Sequence, residues 1–189
     1  LLARLMPDEP EALGLLALLL VTDARRPARA DDDGQLVALE EQDRSRWDAA
    51  RIAEGVATLD HALRLGRSGP YVVQAAIAAL HSQAPAWEAT DWPQIAGLYA
   101  ELERLDPSPV VTINRAVAVA FADDAHAGLA ILDALDDPRL DRYQPLHAAR
   151  AELLRRAGDA PGADAAYARA IALSHTEPQR AALERRRAG

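Results

Sequence analysis

The segment AGDAPGADAAYARAIAL, residues 157–173, carries the pattern that decides the fold. It predicts a helix over residues 162–173 that follows a glycine-containing turn. Within this helix Ala163, Tyr167 and Ala170 place one large side chain between two small ones. Small residues let two helix axes approach, while a large one fills the groove of the next helix pair. We therefore expect this helix to belong to a stack of helix pairs.

The same pattern occurs twice upstream, in predicted helices over residues 92–105 and 127–135. The equivalent positions are Ile95, Tyr99 and Leu102, then Gly128, Leu132 and Leu135, then Ala163, Tyr167 and Ala170. Their offsets are 33 and then 35 residues. Predicted partner helices over residues 110–121 and 143–157 precede the second and third of these helices. A repeat of this length predicts antiparallel helix pairs stacked as a short solenoid.

The N-terminal part of the chain is also helical in pattern but does not repeat clearly. Apolar residues predict helices over residues 9–24, 47–65 and 71–81. We divide the chain into an irregular helical region, residues 1–90, and helical repeats, residues 91–189, expected to form one continuous array. The predicted fold class is all-α.

The loop DGQLVALEEQDRSRWD, residues 33–48, resembles neither the helices nor the repeats around it. Asp33 and Gly34 predict a turn, because an Asp-Gly pair tolerates positive φ. The apolar run that follows can lie beside the residues before the turn, so we expect a small irregular hairpin-like loop near residues 26–45.

The end of this loop carries helix-start signals. Asp43 and Ser45 are possible N-caps, and Asp48 stands three residues after Ser45 like a capping-box acid. We therefore expect a helix to begin near Ser45. Trp47 suits burial against a neighbouring helix, and Gln42 and Arg44 add polar groups around it. The loop is predicted to be ordered.

Composition narrows the function. Half of the residues are apolar, and the formal net charge is −8. Such a charge argues against binding of nucleic acid through its phosphates by this segment. The sequence has no cysteine, which excludes disulfides and cysteine-ligated zinc. It contains no apolar run long enough to span a bilayer, so we expect no membrane partner.

The sequence does not predict an enzyme. The acids between Asp31 and Asp43 could collect Ca²⁺ or Mg²⁺, but they lack the alternating oxygen ligands of an EF-hand, and solvated turn acids are favoured. The five histidines form no HExxH pattern or close pair. Phosphate-loop, dinucleotide-binding and nucleophile-elbow motifs are absent from the sequence. We expect neither catalytic residues nor a cofactor or metal.

The repeats resemble the tetratricopeptide repeat, and the match is best in the last one, where Gly158, Ala163, Tyr167 and Ala170 all stand in place. The middle repeat departs from the pattern, because Leu132 replaces the aromatic residue. This resemblance implies a short tetratricopeptide-like array.

A second resemblance covers nearly the whole chain. It rests on the blocks LARLMPDEPEALGLLALLL, DARRPAR, DGQLVALEEQDRSRWD, GPYVVQAAIAALH, TDWPQIAGLYAEL and SPVVTINRAVAVA. These resemble the C-terminal tetratricopeptide-like extension of bacterial RNA polymerase sigma factors of the extracytoplasmic-function (ECF) type. In that group the sigma domains precede the extension. The start LLARL, which reads as the end of a helix before Pro7, fits a piece of a longer protein.

The sigma-factor resemblance implies regulation of transcription initiation in the bacterial cytoplasm. The implied partners are the N-terminal sigma domains of the same polypeptide, absent from this sequence, and core RNA polymerase. The residues that correspond to the group's signature are Asp33, Gly34, Gln42, Asp43, Arg44, Ser45, Trp47 and Asp48. We expect the loop either to dock on the sigma domains or to position the array against them.

Two alternatives remain open at the sequence level. The loop could be a structural staple, in which Asp43 or Ser45 caps the helix, Arg44 pairs with an acid and Trp47 fills the core. The chain could also be a general peptide-binding scaffold, in which Asn114 and Arg115 line a groove and bind a peptide carboxylate. The sequence does not identify the signal sensed, the promoters, the direction of the regulation or the oligomeric state.

Overall fold

The computed structural model describes residues 5–189. Nine α-helices have both ends in this range: α1 Pro10–Ala24, α2 Ala49–Arg64, α3 Pro70–Gln83, α4 Trp92–Leu105, α5 Pro109–Ala122, α6 Ala125–Asp133, α7 Gln144–Arg156, α8 Ala160–Ala172 and α9 Glu177–Ala188. The described chain contains no β-strand beyond isolated bridge residues at Ala30 and Leu36. The predicted all-α fold is therefore confirmed. The predicted helix end at residues 1–5 lies outside the described residues, apart from Leu5.

The chain forms two compact units. The first comprises the chain up to Ala30 together with Ala38–Pro107, and it contains α1 to α4. The second comprises Asp31–Val37 together with Ser108–Gly189, and it contains α5 to α9. The division into an irregular helical region, residues 1–90, and helical repeats, residues 91–189, was based on sequence pattern and stays a prediction.

Helix α1 organises the first unit, because it packs against both α2 and α3. The core that these helices share contains Leu13, Ala17, Leu59, Ala62, Val72, Ala75 and Ala79. Most of these side chains are small, so the helices lie close together. At Gly14 a Cβ atom would stand 2.7 Å from the backbone nitrogen of Val72, which leaves no room for a side chain. Helix α4 packs against α3 and completes the unit.

A carboxylate from α1 caps the N-terminus of α3. Gly69, at the N-cap position, has no side chain that could accept a hydrogen bond. Instead, Glu11 accepts from the backbone N–H of Tyr71 at 2.9 Å and of Val72 at 3.1 Å. These are N–H groups that a helix cannot satisfy internally, and a negative charge there also complements the helix dipole.

The second unit is a series of helix pairs. Helix α5 packs against α6, α7 packs against α8, and α9 packs on α8. At Gly128 in α6 a Cβ atom would stand 2.5 Å from the carbonyl oxygen of Ala116 in α5. This glycine therefore sets how closely the two helices of the pair approach, as the repeat pattern predicts.

The repeat positions lie on the packed faces of their helices. Leu132 and Tyr167 occupy the same repeat position and are almost completely buried, with 1 and 2 % of their surface exposed, whereas the equivalent Tyr99 is half-buried. Ala116 and Ala151 in the partner helices are both fully buried. The leucine that replaces the aromatic residue in the middle repeat thus fills the same position as the tyrosine of the last one. The prediction of packed helix pairs is confirmed.

Several predicted boundaries shift. Helix α2 begins at Ala49, not near Ser45 or Trp47. Near the end of this helix the core position belongs to Ala62, whose short side chain permits close packing, while 46 % of the surface of Leu63 is exposed.

Candidate functional site

The acidic turn is organised by Asp31. Its Oδ1 atom accepts hydrogen bonds from the backbone N–H of Asp33 at 3.1 Å and of Gln35 at 2.7 Å. Its carbonyl oxygen accepts from the N–H of Gly34 at 3.0 Å. Gly34 has a φ of 76°, which a residue with a side chain rarely adopts. The Asp-Gly turn is present, and Asp33 and Gly34 are both exposed in it.

Asp43 and Ser45 form a closed local pair. Asp43 Oδ1 accepts from the backbone N–H of Ser45 at 2.9 Å and from its hydroxyl at 2.7 Å. These hydrogen bonds lower the pKa of Asp43 below its usual value. Together they stabilise a 3₁₀ turn over Arg44–Arg46. Gln42 is half-buried just before this turn.

Asp48 is the N-cap of α2. Its Oδ1 atom accepts from the backbone N–H of Arg51 at 3.0 Å, and its own N–H donates to the carbonyl of Ala24 at 3.0 Å. The prediction that Asp48 acts as the capping-box acid of a helix capped by Ser45 is wrong. Because Asp43 engages Ser45 in a 3₁₀ turn, the α-helix starts only at the next capping residue.

Arg44 connects the loop to the C-terminal end of α3. Its Nη1 atom donates to the carbonyl oxygens of His81 at 2.7 Å and Ala84 at 2.8 Å. The last carbonyls of a helix lack partners within the helix and carry its negative dipole end, so they suit a cation. Burial lowers the pKa of Arg44, and the charge of Glu88 acts in the opposite direction. The acid expected in the staple interpretation is thus replaced by two backbone carbonyls.

Trp47 lies beneath this arginine. The guanidinium carbon of Arg44 stands 4.5 Å from the centroid of the indole ring, in cation–π geometry. Only 7 % of Trp47 is exposed, so its burial occurs as the sequence indicates. Its Nε1 atom is buried and makes no hydrogen bond to any part of the chain that the structure describes.

An aromatic cluster that the sequence did not predict lies next to the loop. The ring centroid of His81 is 6.1 Å from that of Trp87 and 5.2 Å from that of Trp92, and the two tryptophans are 4.8 Å apart. Burial lowers the pKa of His81 to about 4, and the charges of Arg25 and Arg44 act in the same direction. At neutral pH His81 is therefore an uncharged ring of the core. A hint was available in the two tryptophans that follow it closely in sequence.

The predicted signature residues fall into two local structures. Asp33 and Gly34 belong to the second unit, whereas Gln42 to Asp48 belong to the first. In the second unit the acidic turn is held by α9, because Arg185 donates to the carbonyl oxygen of Leu36 at 2.9 Å.

An open groove of about 570 Å³ lies beside Arg44 and Trp47. One wall is a face of α2, and the other is formed by the end of α3 and the residues that follow it. The lining residues are Arg44, Trp47, Ala49, Ile52, Ala53, Val56, Ala57, Asp60, Ser82, Gln83, Ala84 and Pro85. The groove is mostly apolar, with charged groups near its ends, and its geometry suits contact with another protein surface.

The second predicted site lies on α5. Asn114 is exposed and Arg115 is half-buried. Consecutive helix residues do not face the same direction, so the two side chains do not form a donor pair on one face. Their role in binding a peptide carboxylate stays a prediction.

Within residues 5–189, no group of three or more His, Asp or Glu side chains is arranged to hold a metal ion. None of the helices in the described range is both long and apolar enough to cross a membrane.

The fold and this site define an all-α protein of packed helix pairs with an open apolar groove. Residues 1–63 match the model of DUF6596, a family of unknown function. Over 174 residues the chain is 51 % identical to the uncharacterized protein R00370 of Rhizobium meliloti (strain 1021). The aligned region covers 92 % of this chain and 41 % of that protein. The chain therefore spans about two fifths of the length of this relative. A search of solved structures found no match.

Proposed function

We propose that this chain is the regulatory C-terminal domain of a sigma factor of the ECF type. It would modulate transcription initiation by contact with the sigma domains or with core RNA polymerase, in the cytoplasm. Such a role needs neither catalysis nor a cofactor. The matched family occurs in the C-terminal region of sigma-factor-like proteins, which supports this proposal.

The observation that carries the proposal is the arrangement of Arg44 and Trp47. Arg44 fixes the loop to the end of α3 and stacks on Trp47, and both residues line the open groove. Asp43, Ser45 and Asp48 use their hydrogen bonds locally. The loop therefore acts as a rigid support, while the groove beside it supplies the contact surface. In this proposal the loop has the structural role of the staple interpretation, and the groove beside it has the docking role.

The test uses the full-length protein with Arg44→Ala, and Arg46→Ala as the matched control. Arg46 lies in the same 3₁₀ turn but is exposed. We expect Arg44→Ala to reduce recovery of core polymerase or of separate sigma domains in a pull-down and to change promoter activity, whereas Arg46→Ala leaves both near wild type. Thermal unfolding is measured in parallel. A large loss of thermal stability with unchanged promoter activity would reduce the loop to a structural staple and contradict the proposal.

A general peptide-binding scaffold is the second candidate. The packed helix pairs of the second unit favour it, because such pairs present binding surfaces in repeat proteins. The same pull-down separates the two functions. Recovery of unrelated peptides, without polymerase or sigma domains, would support the scaffold.

A further inference from the structure

Helix α2 has one face that its neighbours in the first unit cover and a second, groove-lining stripe that they cover only in part, since Val56 also packs against the shared core. Gly55, Leu59 and Ala62 are buried and face the shared core. The groove is lined by a second stripe along the same helix, Ala49, Ile52, Ala53, Val56, Ala57 and Asp60. Ala53 and Ala57 on this stripe are exposed, and Ile52 and Val56 are half-buried.

The spacing of this stripe suits a helix as the occupant. Its members follow one another at intervals of three, one, three, one and three residues, which is the ridge of a helix that packs against another helix. Alanine recurs every fourth residue at 49, 53 and 57, so a second helix axis could approach closely. Ile52 and Val56 would supply the apolar contacts. An extended peptide would not use this periodicity.

The charges at the two ends of the groove specify the occupant further. Arg44 stands at the end where α2 begins. Asp60 lies eleven residues beyond Ala49, which is about 16 Å along a helix axis. At the Arg44 end, the buried Arg44 Nη2 and Trp47 Nε1 have no acceptor among the residues that the structure describes. Trp47 is itself more than nine-tenths buried.

We propose that this groove binds one amphipathic helix of a partner domain outside these 189 residues. Its apolar face would lie on Ile52 and Val56, with a carboxylate at the Arg44 end and a basic residue about three turns away at Asp60. The opposite charges at the two ends fix the direction of the bound helix. The inference rests on the proposed function in one respect, since it names the surface at which the sigma-type domains would be held.

The first measurement uses a fluorescein-labelled helical peptide. The peptide carries a leucine stripe with a glutamate at one end and an arginine eleven residues along. A control peptide replaces the glutamate with arginine. Binding to the 189-residue chain is followed by fluorescence anisotropy. We expect the control peptide to bind at least about tenfold more weakly, because its end charge repels Arg44.

The protein variants are Ala53→Arg and, as the matched control, Ala50→Arg. Both positions are exposed on α2, but only Ala53 lines the groove. We expect Ala50→Arg to bind the peptide like wild type and Ala53→Arg to bind at least about tenfold more weakly, with the same helical circular dichroism in both. Equal binding by the two variants, or no binding by wild type, would overturn the inference.

Two further outcomes separate this inference from the proposed function. If separate sigma domains bind wild type and Ala53→Arg equally, the groove is not their site, while the proposed function survives. If the sigma domains and core polymerase do not bind wild type, but the peptide binds through the groove, the proposed function fails and the helix site remains. Sedimentation that shows a wild-type dimer and a monomeric Ala53→Arg variant would make the occupant a second copy of the chain and overturn the assignment to a partner.

Discussion

The cap that Glu11 of α1 provides at the N-terminus of α3 leads to a prediction about Glu11 and Gly69. Glu11 accepts two backbone hydrogen bonds at the start of α3. Loss of an N-cap side chain costs about 0.5–2 kcal/mol, and hydrogen bonds to a charged group lie toward the upper end of this range. We expect Glu11→Ala to lower the free energy of unfolding by about 2 kcal/mol. For a chain of this size that corresponds to a fall in Tm of about 4–8 °C.

Gly69 should be coupled to this cap. A Cβ atom at Gly69 would stand 2.5 Å from the carboxyl carbon and 2.7 Å from an oxygen of Glu11. The clash is with the end of a flexible side chain, so Gly69→Ala relieves it by displacing the carboxylate from the two N–H groups. We therefore expect Gly69→Ala to cost about as much as Glu11→Ala, because both lose the same cap.

The measurement is a double-mutant cycle by urea unfolding. Since the cap can be lost only once, the double variant should be destabilised by about 2 kcal/mol, not by about 4 kcal/mol. Glu54→Ala, at an exposed glutamate of α2, is the control and should change the stability by less than about 0.5 kcal/mol. Additive costs in the double variant would refute the reasoning.

Three further predictions concern single sites. Gly128→Ala should lower the free energy of unfolding by about 1–3 kcal/mol, because its Cβ would meet a backbone oxygen. Gly97→Ala, with no described atom within 4 Å of the new Cβ, should stabilise α4 by about 0.5–1 kcal/mol. Similar effects of the two variants in thermal unfolding would contradict this prediction. His81 has a pKa of about 4 when folded and near 6.5 when unfolded, so the unfolded state binds more protons between these values. The contribution of His81 to the free energy of unfolding should be fully present above about pH 6.5 and should fall by up to about 3 kcal/mol toward pH 4. The urea midpoints of His81→Gln should lack this part of the pH dependence. Asp48→Ala should cost about 0.5–2 kcal/mol through loss of the α2 cap, and more than Ser45→Ala; the reverse order would contradict the assigned helix start.

The helices could be predicted from the sequence because their signals are periodic and local. The repeat spacing identified Gly128, Leu132 and Tyr167 as contact positions, and all are buried where pairs of helices meet. Asp91 caps α4 by accepting from the backbone N–H of Gln94, and a cap of this kind can be predicted from the sequence because it depends only on the next three residues.

Contacts between distant segments could not be predicted in this way. Glu11 and Tyr71 are 60 residues apart, and Arg44 and His81 are 37 apart. Nothing local in Glu11 marks it as a cap, because its hydrogen bonds exist only once α1 lies on α3. The start of α2 was misplaced because two possible caps compete, and the hydroxyl of Ser45 is used by Asp43. Whether Asp43 or Asp48 caps α2 depends on the path that the chain takes after α1.

The hold of Arg185 on the acidic turn has a consequence for dissecting the molecule. The seven residues Asp31–Val37 stand early in the chain but are assembled with the last five helices. The segments of the two units therefore alternate along the polypeptide. A cut between Pro107 and Ser108 leaves the C-terminal fragment without Asp31–Val37, and it leaves this segment in the N-terminal fragment without its hydrogen bond to Arg185. Expression of the C-terminal half with its turn would call for a grafted copy of Asp31–Val37, not a simple truncation.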